Sequence, residues 1–439
     1  MDLLFSFSSS AITVLLLFIG IYFTVRTRLF QFINLPLCIK NTFSCFKNKN
    51  KKGIACLFLA LGGTVGVGNI SGVGAAIALG GAGSIFWMWI CAALGMITKY
   101  AEVLLAVKFK PFGPFTYIKN TFNKYGKSIS AIFALSCIFS SFLIGNVFQC
   151  KAVVDTFVTV FNFDRIFMIL IICIPVAILA FSNSDFIKRF SCFAVPFVTL
   201  LYIVMTLIVI LKNKKFLPSA ISEIFVGAFD IKSVPGGIIG FILSSTVRQG
   251  MSKGLFSHEA GMGSSPIAYS SEDNDAQKSA QLGVLEVFID TFVISTLTAL
   301  SMLTSGFYEE NGMISAAKML MSFFGRFGGV AFAVAVYLFC IASISGWLFY
   351  GKRAVEYLSQ KTFYIKLYSA VFVLIIPFVF ILPIGIIWKL SDFTMLCMTV
   401  PNVISLLNYR KYILSDVRKC KSDRKELQSL CQKVQRFKG

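Results

Sequence analysis

The chain of 439 residues is 56% hydrophobic and 15% aromatic but only 14% charged, whereas about 25% of residues in ordinary soluble domains are charged. So few charges cannot cover the surface of a soluble fold, and the composition therefore predicts a membrane protein. The formal net charge of +21 does not indicate a nucleic-acid-binding protein, because no soluble domain is evident that would carry a basic binding face.

Apolar runs along the chain predict an all-α polytopic membrane protein with about 11 transmembrane helices of roughly 20 residues each. The first run lacks a basic region before it and a small-residue cleavage site after it, so it is predicted to remain as a helix rather than to be a signal peptide. A short turn at 383–389 separates the last two runs. The runs cover 10–25, 54–79, 84–107, 130–150, 165–182, 190–211, 235–256, 281–304, 327–350, 367–387 and 390–408.

Lysine and arginine residues predict the orientation. Of the 41 basic residues, 31 fall in alternate segments that would share one side, 9 fall in the opposite segments, and Lys99 lies inside a span. Basic loops face the cytoplasm, so the N-terminus is predicted outside and the C-terminus inside the cell membrane. The tail is predicted to be solvated or to touch lipid headgroups, with a short surface helix as the alternative. The basic segments are 26–53, 108–129, 182–190, 248–280, 351–366 and 409–439.

Two segments broken by glycine lie in the two halves of the chain. They read ALGGTVGVGNISGVGAAIALGGAG at 60–83 and SSTVRQGMSKGLFSHEAGMGSSPIAYSS at 244–271. Broken helices at corresponding positions are typical of inverted repeats with a binding site near the middle of the membrane. We therefore predict a single transmembrane transporter domain over 1–439. Its parts are an extra N-terminal helix and cytoplasmic loop at 1–53, a first five-helix repeat at 54–211, a second, inverted five-helix repeat at 212–408 and a basic cytoplasmic tail at 409–439.

The first broken segment places Thr64, Asn69 and Ser71 among six glycines. A backbone in hydrocarbon has to satisfy its own hydrogen bonds, so this cluster is tolerated only where it packs against protein or lines a cavity. A helix that breaks here offers carbonyl groups to a cation and N–H groups to a carboxylate. Close packing of small residues is the alternative, and Asn69 favours the break because a buried amide needs partners. The glycines are Gly62, Gly63, Gly66, Gly68, Gly72 and Gly74.

The same segments resemble a known family. The stretches at 62–110 and 254–268 are similar to the bacterial and archaeal sodium:alanine/glycine symporter family, which looks like part of the broken-helix amino acid transporter superfamily. Shorter matches follow in the same order along nearly the whole chain. They are YFTVRTRLFQF at 22–32, FGPFTYI at 112–118, IGNVFQ at 144–149, FIDTF at 288–292, SGWLFYG at 345–351 and PNVISLL at 401–407.

The resemblance implies a secondary active transporter that moves small neutral amino acids (alanine, D-alanine or glycine) into the cell with sodium by alternating access. A proton-coupled or weakly coupled permease, or a channel or sensor on the same fold, is the alternative. No enzyme is predicted, because the spans contain no paired nucleophile and base. The single histidine, His258, is predicted in a cytoplasmic loop and cannot build a transition-metal site alone. The implied partners are the amino acid, Na⁺ and membrane lipids, with no cofactor, nucleic acid or obligate protein partner.

By position, the resemblance implies a substrate pocket between the broken second and seventh helices and a sodium site beside it. Asn146 and Gln149 could instead form a polar clamp between helices, and Trp347 could be an ordinary packing residue. The implied substrate residues are Thr64, Gly66, Gly68, Asn69, Asn146, Gln149 and Trp347. The implied sodium residues, which would offer oxygen ligands, are Gly62, Val65, Asn69 and Ser343.

The chain departs from the family pattern at three positions near this site. Ala342 stands where the family has a hydroxyl, Val67 replaces a threonine, and Lys151 stands where the family has asparagine. Losing a hydroxyl oxygen weakens or reshapes the implied sodium site, so these departures keep proton coupling open as an alternative.

Charged residues inside predicted spans need partners. Lys99 and Glu102 are three residues apart and are predicted to pair at the cytoplasmic end of the third span. Glu286 and Asp290 are four residues apart and both acidic, so they are predicted to repel each other unless a cation or a base intervenes. A gate or a proton role for this acidic pair stays open.

Overall fold

The computed structural model describes residues 2–47, 51–229, 244–271, 275–308, 312–380 and 383–421. Every regular element within these ranges is helical, which confirms the all-α fold class. Residues 235–243 of the predicted seventh run and 422–439 of the basic tail lie outside the described residues.

The first half of the chain contains twelve described α-helices and two π-helical turns. They are α1 (Asp2–Arg26), α2 (Phe30–Ile33), α3 (Leu35–Lys47), α4 (Lys51–Thr64), a π-turn (Gly68–Gly72), α5 (Val73–Gly80), α6 (Ser84–Lys108), α7 (Pro114–Thr121), α8 (Gly126–Phe142), a π-turn (Leu143–Val147), α9 (Phe148–Phe161), α10 (Arg165–Phe181), α11 (Ser184–Lys212) and α12 (Leu217–Ala228).

The second half contains seven α-helices with both ends described, and residues 410–421 after them are also helical. The seven helices and an intervening π-turn are α13 (Ser245–His258), α14 (Pro266–Ser270), α15 (Ala276–Val287), a π-turn (Phe288–Ser295), α16 (Thr296–Ser305), α17 (Gly312–Leu358, kinked at Gly325), α18 (Thr362–Leu374) and α19 (Ile384–Asn408). Helix α6 packs against α13 and α15, and α17 packs against α8, α9 and α11.

Within the described ranges, six helices are long and apolar enough to cross a membrane, or seven when the bent pair Lys52–Thr64 and Gly68–Gly80 counts as one span. Shorter apolar helices occupy Ala11–Arg26, Ile166–Phe181 and Thr362–Leu374. The chain is therefore a multi-pass membrane protein. The count of eleven spans and the division into inverted repeats stay predictions.

Helix α11 shows where apolar side chains lie on the outer surface of the protein. Its residues Phe193, Phe197 and Leu200 are 75%, 54% and 64% exposed. Spacings of four and three residues place them on one helix face. An apolar face of this kind is stable against lipid rather than against water, which agrees with the membrane assignment.

The first broken segment bends by 45° between α4 and the helical stretch Gly68–Gly80. Residues 65–67 belong to no helix, so the break lies inside the broken segment predicted at 60–83. Close packing requires glycine at position 74, in the helix that follows the break. A Cβ added at Gly74 would lie only 2.4 Å from the Cα of Gly312, and two glycines therefore allow these backbones to touch.

The second broken segment is interrupted directly after α13. Glu259, Gly261 and Gly263 all have positive φ angles, of 53°, 95° and 76°, a region that favours glycine. The chain then enters the short, fully buried helix α14. Both predicted interruptions are thus present in the fold, and we call residues 259–265 the inner hairpin.

His258 does not lie in a loop, so that prediction was wrong. It is the last residue of α13 and is only 1% exposed. Its Nδ1 accepts the backbone N–H of Ala260 at 3.0 Å, and its Nε2 lies 3.3 Å from Cys91 Sγ. The polar residues of 248–258 predicted a loop exposed to water. In the fold, the surrounding protein supplies their hydrogen-bond partners.

Two loop boundaries also differ from the prediction. The turn predicted at 383–389 is wrong, because α19 begins at Ile384, directly after Pro383. Proline lacks the N–H that would continue a preceding helix, and it therefore marks the boundary better than the later polar residues. The predicted loop 26–53 contains helix α3.

The predicted pair between Lys99 and Glu102 is wrong. The Lys99 ammonium lies 3.2 Å from Glu286 Oε1, with both side chains fully buried, and donates to Ser265 Oγ at 2.5 Å. Tyr269 donates its hydroxyl to the other oxygen of Glu286 at 3.1 Å. Spacing along one helix reveals only local partners, whereas packing of α6 against α15 supplies a partner distant in sequence. Lys99 is the base that the acidic pair on the eighth span was predicted to require.

Glu102 has a different set of partners. Its Oε1 accepts the backbone N–H of Gly263 at 2.9 Å and the side-chain amide of Asn402 at 2.5 Å. The hydroxyl of Tyr117 donates to the Asn402 side-chain oxygen. This carboxylate therefore ties the inner hairpin to α6, α7 and α19.

Replacing Lys99 with methionine should strongly reduce the amount of folded protein, because Glu286 would stay buried without its base, at a cost of about 3–5 kcal/mol. Size-exclusion chromatography of the extracted protein measures this. The double variant Lys99→Met/Glu286→Met removes both charges and should restore most of the loss. As a control, Lys151→Met breaks a partly exposed pair with Asp155 and should have little effect. Equal losses in the single and double variants would contradict this account.

Candidate functional site

Four buried polar atoms near the first broken segment have no hydrogen-bond partner among the described protein atoms. They are Gln149 Oε1 on α9, and Ser343 Oγ, Trp347 Nε1 and Tyr350 OH on α17. Nearly all buried polar atoms in native proteins are hydrogen-bonded. Four such atoms on helices packed around one break fit a site for a small polar ligand.

Two glycines of the first broken segment lie against these atoms. A Cβ added at Gly66 would lie 2.2 Å from Ser343 Oγ and 3.7 Å from Gln149 Oε1. A Cβ added at Gly63 would lie 2.7 Å from the hydroxyl oxygen of Tyr350. The structure thus brings Gly66, Gln149 and Ser343 together, and only glycine lets α4 and the break approach α17 so closely.

Trp347 lies beside this group and is fully buried. A Cβ at Gly145, within the π-turn before α9, would lie 2.1 Å from the Trp347 Cβ. The Trp347 and Tyr350 ring centres are 5.6 Å apart in an edge-to-face arrangement. Trp347 therefore packs against the π-turn and Tyr350, its indole N–H has no partner among the described protein atoms, and its role as a pocket wall stays a prediction.

Asn69 connects both broken segments to the π-turn Phe288–Ser295. Its Oδ1 accepts the backbone N–H of Gly66 at 2.9 Å. Its amide nitrogen lies 2.8 Å from Ser257 Oγ, 2.8 Å from Asp290 Oδ1 and 3.1 Å from Ser295 Oγ. In this structure the Gly66 N–H, which was predicted to face the substrate carboxylate, is bonded to Asn69.

Asp290 is fully buried and accepts hydrogen bonds from neutral groups. Its Oδ1 accepts from the Asn69 amide at 2.8 Å, and its Oδ2 accepts from the hydroxyls of Ser257 and Thr291 at 2.8 Å and 2.9 Å. No ion pair among the described residues includes it. Burying an unpaired carboxylate is costly, so this oxygen-rich group fits a small cation or a proton.

Asn146 and Gln149 have different hydrogen-bond partners in this structure. The amide of Asn146 donates to the backbone oxygen of Phe372 at 2.6 Å, which is the polar clamp between helices that was the alternative interpretation. Gln149 donates to the backbone oxygen of Ile144 at 3.3 Å, five residues earlier, and its Oε1 faces Gly66. Asn146 lies inside the π-turn Leu143–Val147 and Gln149 lies in α9, so their amides reach different neighbours, and their joint substrate role stays a prediction.

The remaining predicted residues of α4 and the break are held by their own backbone or by α17. Thr64 donates its hydroxyl to Ala60 O at 3.2 Å, and the N–H of Val65 bonds to Leu61 O at 2.6 Å. A Cβ at Gly62 would lie 3.2 Å from the backbone oxygen of Ala342. The predicted sodium residues therefore divide into two places, because Gly62 packs against α17, which carries Ser343, whereas Asn69 contacts Asp290.

Gly68 faces an aromatic cluster. A Cβ at Gly68 would lie 3.5 Å from the ring of Phe256, an ordinary contact distance. The Phe256 ring centre lies 5.0 Å from that of Phe148 and 4.5 Å from that of Trp388. The Lys253 ammonium lies 3.3 Å from the Trp388 ring centre. This cluster closes the break on the side of α13 and α19.

Sequence reasoning missed Ser257 and Tyr350 and did not place Asp290 at the site. Ser257 and Asp290 both lie inside motifs that matched the family, so motif membership was the available signal. Tyr350 lies three residues after Trp347, which places both on one face of α17. Of the departures, Lys151 forms a 3.4 Å pair with Asp155, and Val67 is fully buried in the break.

The sequence model of the sodium:alanine symporter family matches residues 3–434, and the chain therefore belongs to this family. It is 31% identical to the sodium/alanine symporter AgcS of Methanococcus maripaludis over 92% of this chain and 93% of that protein. It is 29% identical to the probable sodium/glutamine symporter GlnT of Bacillus subtilis over 93% and 87%.

A solved structure supports the fold independently of close sequence similarity. The crystal structure of the Eremococcus coleocola manganese transporter in complex with an aromatic bis-isothiourea substituted compound superposes with a TM-score of 0.51 over 84% of this chain and 79% of that chain. The sequences are 14% identical, so this likeness concerns the fold alone. Membership of the sodium:alanine symporter family, in turn, establishes the chain as a transporter and not an enzyme.

Gly66→Ala should abolish uptake of labelled alanine, because the added Cβ would fall 2.2 Å from Ser343 Oγ. Gly68→Ala should keep most of the uptake, because its Cβ meets the Phe256 ring at 3.5 Å. Gly385→Ala, whose Cβ meets no atom within 4 Å, is the control. Equal uptake by the Gly66 and Gly68 variants, at equal amounts of protein in the membrane, would remove the Gly66 contact from the site.

Proposed function

We propose that the protein is a secondary active transporter that carries small neutral amino acids, namely alanine in either configuration or glycine, into the cell together with sodium. The observation that carries the proposal is the group of four unpartnered buried polar atoms beside the broken first segment. Membership of the sodium:alanine symporter family and the name of the relative from Methanococcus maripaludis support the substrate class and the coupling ion.

The polar atoms match the two charged ends of an amino acid. The Trp347 indole N–H and the Ser343 and Tyr350 hydroxyls can donate to a carboxylate, and Gln149 Oε1 can accept from an ammonium group. The site is also narrow, since Gly66 approaches Ser343 too closely for one added Cβ. Narrow spacing favours a substrate with a small side chain.

The coupling ion has a counter-charge in Asp290. Sodium prefers oxygen ligands, and the carboxylate, the Ser257 hydroxyl and the Ser295 hydroxyl all lie within reach of Asn69. A cation bound here would compensate the only carboxylate in this group. We therefore add Asp290 and Ser257 to the predicted sodium residues near Asn69, while Gly62, Val65 and Ser343 keep the predicted role of a second set of oxygen ligands at α4, the break and α17.

Asn69 provides a physical link between substrate and cation. Its side-chain oxygen holds the Gly66 N–H, and its amide holds Asp290. When a substrate carboxylate accepts the Gly66 N–H, the hydrogen bond from this N–H to the Asn69 side-chain oxygen is lost. The Asn69 oxygen can then ligate a cation beside Asp290. Substrate and cation would in this way each favour the binding of the other.

Proton coupling is the second candidate, and Asp290 is again the observation that favours it. A buried carboxylate surrounded by neutral donors can be neutralised by a proton as well as by sodium. The lost family hydroxyl at Ala342 would weaken a sodium site on α17 without affecting this alternative.

Uptake by purified protein in sealed vesicles tests the proposal. Labelled L-alanine, D-alanine, glycine and glutamine are offered under an imposed sodium gradient, an imposed proton gradient or neither. Accumulation of alanine or glycine against its gradient with sodium alone is the expected result. Accumulation with a proton gradient alone would replace sodium by a proton, and equilibration without accumulation under both gradients would contradict coupled transport.

Asp290→Asn should raise the sodium concentration for half-maximal uptake about 100-fold or abolish uptake, because the bound cation would lose its counter-charge. Sodium titration of uptake in vesicles measures the change. Asp155→Asn, which alters a partly exposed carboxylate paired with Lys151, is the matched control. An unchanged sodium dependence in the Asp290 variant would exclude this carboxylate as the counter-charge.

A further inference from the structure

A basic cavity lies between the end of α1 and the helical residues 410–421 that follow α19. Its volume is about 540 Å³. Four of the residues that line it are basic, namely Arg26, Arg28, Arg418 and Lys421. No acidic residue occurs among the described residues that line it. Four positive charges around one concave space attract a doubly or singly charged anion such as a phosphate group.

Contacts within the fold form this cavity and hold its walls together. The Lys421 ammonium donates to the backbone oxygen of Thr27 at 2.7 Å, which joins two segments almost 400 residues apart in sequence. Arg28 and Leu29 both have positive φ angles, of 51° and 55°, which are uncommon for residues with a side chain. This turn brings the two arginines of the α1 end to face the C-terminal helix.

Among the described residues of the C-terminal segment, 410–421, the acidic one is Asp416, and it is engaged elsewhere. Asp416 Oδ2 accepts the hydroxyl of Tyr100, on α6, at 2.6 Å. Two residues later, Arg418 is exposed at the cavity. The charge of Asp416 is therefore directed toward the protein interior, and the cavity keeps its positive character.

Apolar surface continues directly from the cavity. Val25, which lines it, is 68% exposed, and Leu29 is 52% exposed. Farther along the chain, Phe32 and Ile33 are 44% and 49% exposed. In a membrane protein such residues face acyl chains, so the cavity offers positive charge at one end and a lipid-facing surface at the other.

We infer that this cavity, which we call the α1 basic pocket, binds the phosphate headgroup of an anionic phospholipid whose acyl chains lie along Val25 and Leu29. Basic pockets between helices at the cytoplasmic side suit such headgroups. The balance of basic residues predicts that this end of α1 faces the cytoplasm. The bound lipid would join the extra N-terminal helix to the C-terminal segment, independently of the transport site.

Another basic surface of the protein provides a matched control. Lys119, Lys124 and Lys127 line a second hollow, of about 510 Å³, together with two asparagines. The described residues that line it include no apolar side chain. It therefore has the charge of the α1 basic pocket without the adjoining surface for acyl chains.

The test uses the purified full-length protein in dodecylmaltoside micelles with added dioleoyl phosphatidylglycerol or dioleoyl phosphatidylcholine. Native mass spectrometry measures the lipid that stays bound. We expect phosphatidylglycerol to bind much more tightly, because each basic residue near an anionic headgroup contributes roughly fivefold in affinity. The variant R26Q/R28Q/R418Q, which leaves the Lys421 hydrogen bond intact, should weaken binding roughly 100-fold.

The control K119Q/K124Q/K127Q removes the same charge and should keep the preference for phosphatidylglycerol. Equal losses in both triple variants would reduce the effect to general surface charge and overturn the proposal, as would a wild-type protein without any preference. If the α1 triple variant does not fold, Arg28→Gln and Arg418→Gln alone should each weaken binding about fivefold.

A separate measurement distinguishes a lipid from a free phosphate. Val25→Ser together with Leu29→Ser should weaken binding of phosphatidylglycerol while leaving binding of glycerol 1-phosphate unchanged. If inorganic phosphate or glycerol 1-phosphate displaces phosphatidylglycerol at equal concentration, the ligand is a free phosphate and the lipid assignment is wrong. These binding measurements do not depend on transport, so a failed uptake experiment and a failed lipid experiment remain distinguishable.

Discussion

The hydrogen bonds of Asn69 are the interaction on which the centre of the structure depends. A backbone inside a membrane has to find its hydrogen-bond partners within the protein, and the break after α4 removes helical partners at that point. Asn69 supplies one of them by accepting the Gly66 N–H, and its amide contacts Ser257 and Asp290. One side chain thus closes the first break and joins it to the second broken segment and to the π-turn Phe288–Ser295.

This arrangement explains why the glycines cluster where they do. Asn69 can reach back to Gly66 only because the chain turns sharply over residues 65–67, and α17 then fills the space beside the turn. Ser343 and Tyr350 lie where side chains at Gly66 and Gly63 would have to lie. The glycines therefore serve the packing of α17 as well as the break, and the two interpretations of the segment describe one geometry.

The sequence was sufficient for the features that depend on local composition. The apolar runs predicted the helices, and the glycines predicted both interruptions within a few residues. The partners of Lys99 and Asp290 could not be predicted in the same way. Glu286 lies 187 residues from Lys99, and helical spacing suggested Glu102 because it describes only neighbours on one helix. Nothing in the sequence predicted the π-turn before α9, which separates the environments of Asn146 and Gln149.

The buried carboxylates fall into two groups. One group surrounds the inner hairpin, and the other is Asp290 at the candidate site. Glu286 has Lys99, and Glu102 has a backbone N–H of the inner hairpin and Asn402. Glu259 accepts the Ser264 hydroxyl within the hairpin at 2.5 Å. These three acids hold the hairpin and its neighbours by contacts within the protein. Asp290 differs in that its donors come from both broken segments, Asn69 in the first and Ser257 in the second, and from the neighbouring Thr291. In the proposed transport cycle the two broken segments move relative to each other, so the partners of the Asp290 carboxylate would differ between the outward-open and inward-open states. A coupling site physically requires such a difference.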